Sequence, residues 1–272
     1  ETVHDSGAAP VCCSFPDEAA EIRRTISDLG VYRGQGMAYE QMAVLMRTHR
    51  GMRALTGELF RSNIPFSLRE KTENPYRHWI AGDVLAYLHI AEGSHSRSDF
   101  LRILNRPHRY IRRSLLTEQT VSLTALRTAL AGRSELTGRL DRLAGDLAFL
   151  RGLPPYAAVN YVRRGIGYDD FIREYAEGRK IPAEELLERL DELQQSAAAF
   201  RTLTEWENFI VDYGKELAGQ TAEAAGVAVS TIHGAKGLEY DAVFILDAAE
   251  GLIPHKLALR PEELEEERRL FY

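Results

Sequence analysis

Cysteine is almost missing from this 272-residue sequence: there are two, Cys12 and Cys13, and they are neighbours. A disulfide asks for Cα atoms about 4.4–6.8 Å apart, and consecutive Cα atoms lie only about 3.8 Å apart. A disulfide framework is therefore excluded, and buried thiols in a reducing, cytoplasmic compartment are expected. No Cys-x-x-Cys or His-x-x-x-His spacing occurs, so no metal is assigned. No apolar run approaches the roughly 20 residues of a membrane-spanning helix, so no membrane partner is expected. No N-terminal stretch reads as a signal peptide, and the chain opens on Glu1 rather than Met, which suggests a sequence cut from a longer one. No internal repeat or low-complexity segment stands out. Excess positive charge is lacking too: the formal net charge is −6 at pH 7. That sum argues mildly against a nucleic-acid partner, but the distribution of charge matters more.

The charges are unevenly spread. From Arg97 to Arg113 there are six arginines against one acid, and Arg47, Arg50, Arg53 and Arg61 make a second basic cluster. Acids gather at Glu184 to Glu192 and Glu262 to Glu267. Such runs are usually solvated helix faces, but the basic ones also suit a surface that touches phosphates. Hydrophobic patterning divides the chain into three parts. Residues 1–75 alternate strand and helix. The strand-like runs are Val11–Phe15, Met42–Met46 and Pro65–Leu68, with helices from Asp17 to about Leu29 and from about Met52 to Ser62. Asp17 is placed to cap the first helix. Residues 76–222 carry apolar residues at helical spacing, as in Leu186, Leu187, Leu190 and Leu193, cut into several helices by Gly and Pro. Residues 223–272 return to strand, loop, strand and a final acidic helix. Alternation at both ends around a helical middle implies an α/β domain with a parallel sheet, interrupted by an all-α insertion.

The richest stretch is Ser230-Thr231-Ile232-His233-Gly234-Ala235-Lys236-Gly237-Leu238-Glu239-Tyr240-Asp241-Ala242-Val243-Phe244-Ile245. A β-prone run, Val227 to Thr231, leads into a polar, Gly-containing turn, and the apolar run Ala242–Leu246 follows as one buried strand. A polar loop between buried strands is where α/β sheets place ligand chemistry. From spacing alone, a ligand loop and a tight turn with solvated charges are equally good readings.

These residues resemble helicase motif V of the UvrD/Rep/PcrA family, the superfamily 1 DNA helicases. Glu250-Gly251-Leu252-Ile253-Pro254-His255 and Glu265 to Tyr272 resemble the segments that follow it, ending just before the family's Thr-Arg-Ala of motif VI. Upstream, Ala43-Val44-Leu45-Met46-Arg47-Thr48-His49 and Ile64-Pro65-Phe66 resemble the family's strand with its Arg-Thr-Asn, then a helix, then Ile-Pro-Tyr. The resemblance is strong at both ends and weak from about Leu115 to Ala225. It implies the second RecA-like domain, split into residues 1–75 and 223–272 by an inserted helical subdomain at 76–222.

The resemblance also implies roles. Gly237 and Glu239 would face the nucleotide, with the carboxylate accepting from ribose hydroxyls. Arg47, Thr48, His49, Thr231, His233, Lys236 and His255 would lie on the single-stranded DNA track, His49 replacing the family's usual Asn. For His233, a core histidine bonded to a backbone carbonyl stays open as the other reading. Arg164-Gly165-Ile166-Gly167 is similar to a hairpin DNA-binding motif but lies far from Asn105-Arg106-Pro107, which that motif follows in the family, so it reads as an interhelical turn. The implied activity is an ATP-dependent 3′-to-5′ helicase. It would use ATP and Mg²⁺, act on single-stranded DNA and single-strand/duplex junctions, and work with a first RecA-like domain. Two alternatives stay open: the helicase subunit of an AddA/RecB-type recombination nuclease, and a non-catalytic DNA-binding or protein-docking module.

The nearest approach to a phosphate loop is Gly214-Lys215, where Glu216 stands in the Ser/Thr position and Phe209 in that of the first glycine. No Asp-Glu pair for Mg²⁺ follows it in the sequence, so neither ATP nor Mg²⁺ is expected to bind this chain alone. The chain by itself should show no ATPase above background, with or without DNA. Turnover that survives repurification and disappears in Glu239→Ala would contradict this.

Overall fold

The computed structural model describes residues 9–47, 49–70, 72–221, 224–249, 251–254 and 260–269, with backbone alone at 49, 50, 266 and 267. The chain divides into two compact units, one from residues 1–72 and 220–272, the other from 73–219.

The first unit is α/β. Its strands are β1 (Met42–Met46), β2 (Phe66–Leu68), β3 (Val227–Thr231) and β4 (Ala242–Ile245), in the order β2-β3-β1-β4. Every pairing is parallel: Met46 lies opposite Thr231, Leu45 opposite Ile245, and Leu68 opposite Val229. β1 and β3 are buried along their whole length; β1 reads as an unbroken apolar run, while β3 ends on the buried Ser230 and Thr231. The edge strand β4 is only half-buried. Helices α1 (Glu18–Gly34), α2 (His49–Arg61) and α11 (Pro261–Arg269) belong to the same unit. Asp17 caps α1 by accepting from the Ala20 amide at 2.7 Å.

The expected first strand is absent. Val11–Phe15 forms no ladder among the described residues, and both thiols are exposed rather than buried. Pro10 and Pro16 bracket the run. Neither can donate to a ladder, and each holds its preceding residue extended, so β propensity there is spent on an unpaired segment.

The second unit is all helical among the described residues: α3 (Trp79–Ala91), α4 (Arg97–Ile103), α5 (Leu123–Ala129), α6 (Ser134–Leu150), α7 (Pro155–Arg164), α8 (Tyr168–Arg179), α9 (Ala183–Ala197) and α10 (Leu203–Gly219). α3 is apolar on nearly every face and packs against α4, α6, α7 and α9. Asp83 interrupts its apolar surface and is wholly buried. Arg106 donates to both of its oxygens at 2.9 and 2.6 Å, Arg102 at 3.3 Å and the Tyr168 hydroxyl at 2.8 Å. Burial, and then the Asp83 charge, hold the Tyr168 phenol far above its usual range, so it remains a donor. Nearby, the Arg109 guanidinium is buried and donates to the Ile103 carbonyl and the Tyr87 hydroxyl. Burial pushes the Tyr87 phenol up to about 12.

This network corrects the charge reading of residues 97–113. Arg102, Arg106 and Arg109 serve the interior, and Arg97 donates to the Leu116 carbonyl at 2.6 Å. One buried carboxylate and a few carbonyls engage four of the six guanidinium groups, while Arg102, Arg112 and Arg113 stay exposed. Gly165–Gly167 forms the turn between α7 and α8. Gly167 caps α8 at φ 86, and Arg163, itself buried, reaches Asp169 at 3.0 Å to fix the corner.

Asp83→Ala should destabilise the helical unit by about 2–4 kcal/mol, because it leaves the buried Tyr168 hydroxyl without its acceptor and Arg106 without its counter-charge. Chemical denaturation measures this; a change below about 0.5 kcal/mol, the ordinary effect of a surface substitution, would contradict it.

Candidate nucleic-acid interface

In a parallel sheet the strand ends of one sense meet along one edge. Here β1, β2 and β3 run out together, and the residues after them are lateral neighbours by register. Arg69 donates its amide to the Val229 carbonyl at 3.2 Å, and Ile232 donates to the Met46 carbonyl at 2.9 Å. Arg47, Glu70 and Thr231 are thereby brought to one edge from three separate stretches of chain.

The turn after β3 is held from both sides. Its apolar residues, Ile232 and Ala235, pack into the same cluster as Ala43, Leu45, Ala228 and Ile253. Its amides close on the turn itself: Ala235 to the Thr231 carbonyl at 3.0 Å, Lys236 to His233 at 3.3 Å, and Leu238 to Ala235 at 3.0 Å. With those residues fixed, His233, Lys236, Gly237 and Glu239 face outward and are exposed. Gly237 sits at φ +83, where a β-carbon would be strained although nothing lies within 4 Å to obstruct it. The backbone is left open beside the Glu239 carboxylate. Neither Glu239 nor Lys236 makes an ion pair or side-chain hydrogen bond among the described residues. That pairing of an open glycine and a free acceptor fits a sugar hydroxyl, and Lys236 fits a phosphate.

His233 is not a core histidine. Its Nδ1 lies 3.1 Å from the Arg47 guanidinium, which can only donate. Nδ1 is therefore the acceptor, and in the neutral ring Nε2 carries the proton. Two donors of different reach, a guanidinium and an imidazole N–H, stand together at the strand ends.

Thr231 is placed differently from a simple surface donor. It is 6% exposed. Its hydroxyl accepts from the Gly234 amide at 3.0 Å and donates to Glu70 Oε1 at 3.0 Å, while its own amide points at Glu70 Oε2 at 3.4 Å. Glu70 was not among the residues singled out from sequence. Its signal was positional: a polar residue two places beyond a parallel strand, beside Thr231. Of the other candidates, Thr48 and His255 lie outside the described residues, and His49 opens α2 with its side chain likewise outside the description. The edge thus gathers Arg47, Thr231, His233, Lys236, Gly237 and Glu239.

The profile of the UvrD-like helicase C-terminal domain matches residues 1–127 and 170–272, leaving out 128–169, the stretch that contains α6, α7 and Gly165–Gly167. YjcD of Bacillus subtilis is 28% identical over 287 residues, taking in 100% of this chain and 37% of the relative. The ATP-dependent DNA helicase PcrA of Staphylococcus epidermidis is 30% identical over 282 residues, 94% of this chain and 38% of the relative. The ATP-dependent DNA helicase Rep of Escherichia coli is 27% identical over 257 residues, 86% of this chain and 38% of the relative. The chain thus spans 37–38% of the length of these relatives.

Proposed function

The chain belongs to the UvrD-like helicase C-terminal domain family, and on that basis we propose that it is the part of an ATP-dependent 3′-to-5′ DNA helicase that supplies motif V and half of the single-stranded DNA track. Residues 1–75 and 223–272 are assigned to the second RecA-like domain and 76–222 to its helical insertion. The track is Arg47, Thr48, His49, Thr231, His233, Lys236 and His255. Gly237 and Glu239 face the nucleotide, and the phosphate loop and Mg²⁺ carboxylates come from a first RecA-like domain of the same protein.

The observation that carries the reading is the meeting of Arg47 and His233, 186 positions apart in sequence, at the carboxyl edge of one parallel sheet. A guanidinium, an imidazole N–H and an ammonium on a turn fixed by its own amides are suited to successive phosphates of a strand. Because Ile232 and Ala235 anchor the turn, a shift of this domain against its neighbour would move those donors as a body. Alternating the grip on a strand needs that rigidity.

Single-stranded DNA binding by the full-length protein should weaken with salt at a log–log slope near −0.7 for each phosphate neutralised. Replacing Arg47 and Lys236 together by alanine should flatten the slope by about 1.4, the share of two contacts. A salt titration of both proteins by fluorescence anisotropy tests this, and an unchanged slope would mean that the two cations are merely solvated.

A further inference from the structure

Glu70 is a carboxylate at an edge otherwise furnished with cations, and it sits on donors that a DNA phosphate would need. The Thr231 hydroxyl already accepts from the Gly234 amide at 3.0 Å, so its proton has to be given to something else. It goes to Glu70 Oε1 at 3.0 Å, and the Thr231 amide approaches Oε2 at 3.4 Å. Two donors of one residue thus converge on two oxygens of one anion. The non-bridging oxygens of a phosphodiester offer the same pair of acceptors at the same charge.

The surroundings form a cradle rather than a packed contact. A β-carbon at Gly234 would lie 2.6 Å from Ser230 Oγ and 2.8 Å from Glu70 Oε1, so both groups face one spot that only a glycine leaves clear. Ser230 is wholly buried, and its hydroxyl has no hydrogen-bond partner among the described residues. A spare buried hydroxyl thus faces the same cradle as the bound carboxylate. Glu70 itself is half-buried, two residues beyond the end of β2.

We propose that Glu70 is a built-in competitor for the strand phosphate: its carboxylate occupies the Thr231 receptor when the edge is bare, and a bound single strand displaces it. This rests on the reading of the edge as a DNA track and adds a regulated position to it. The strand gains the Thr231 amide and hydroxyl only by expelling Glu70, so resting affinity is held down by a charge of the protein's own. The turn keeps its shape meanwhile, because its anchors are Ile232, Ala235 and the backbone rather than Glu70.

The test measures binding of a labelled oligothymidylate to the full-length protein at fixed salt, with thermal unfolding followed in parallel. Glu70→Gln and Glu70→Ala should each tighten binding by about fivefold or more, the change expected for removing one like charge a few ångströms from a phosphate in a high-dielectric setting. The gain should vanish in a Thr231→Val background, where the receptor has lost its hydroxyl. Unchanged or weaker binding in the Gln variant overturns the proposal, and weaker binding together with a lower melting temperature would identify Glu70 as a clamp instead. If Arg47 and Lys236 alter the salt slope while Glu70→Gln gains nothing, this inference alone falls. If neither effect appears, the track reading falls with it.

Discussion

The parallel ladder between β1 and β3 is the contact on which everything else in the α/β unit depends. β3 lies between β2 and β1, so the sheet has no continuous middle until the chain has passed through all of residues 73–219 and returned. Closing a loop of that length adds only a modest entropic cost over a shorter one, since the cost grows with the logarithm of length. It does place non-local pairing at the heart of the unit, an arrangement that slows folding. What the arrangement gains is adjacency. Arg47 and Glu70 leave the sheet on either side of Thr231, and the turn after β3 has a residue of each neighbouring strand beside it.

That turn divides its residues by a simple rule. Ile232 and Ala235 enter the core and fix the backbone, while His233, Lys236 and Glu239 are carried on the remaining positions and cannot turn inward. The chemistry of the edge is thus set by packing beneath it. The helical unit uses the opposite economy: the buried Asp83 draws Arg102, Arg106 and Tyr168 inward, and charge that looks like surface becomes architecture.

How far the sequence could be read follows from these physical differences. β1 was legible to the residue because a strand buried on both faces is apolar throughout, and β3 because its run is β-prone to its last residue. The cap at Asp17 was legible because a carboxylate after a proline has one obvious amide to serve. Val11–Phe15 misled because propensity says nothing of whether a partner strand exists. α1 runs on to Gly34, beyond the expected end near Leu29, because its last turns are exposed and lose the apolar rhythm that marks a helix. Four of the six arginines of 97–113 have partners within the helical unit, which a count of charges cannot reveal. The stretch from Ser230 to Ile245 carried the candidate site, since its residues are contiguous and chemically distinctive. Glu70 was invisible there: its part depends on lateral register between β2 and β3, which no local pattern encodes.

The central claim is that one sheet edge, assembled from segments far apart in sequence, is where this protein holds a single strand. Hydrogen–deuterium exchange of the full-length protein with and without oligothymidylate addresses it directly. The account expects added protection in the turn 231–239 and, together with it, in the start of α2 just after Arg47. Protection confined to the helical unit, with the amides of that turn unchanged at saturating DNA, would contradict it.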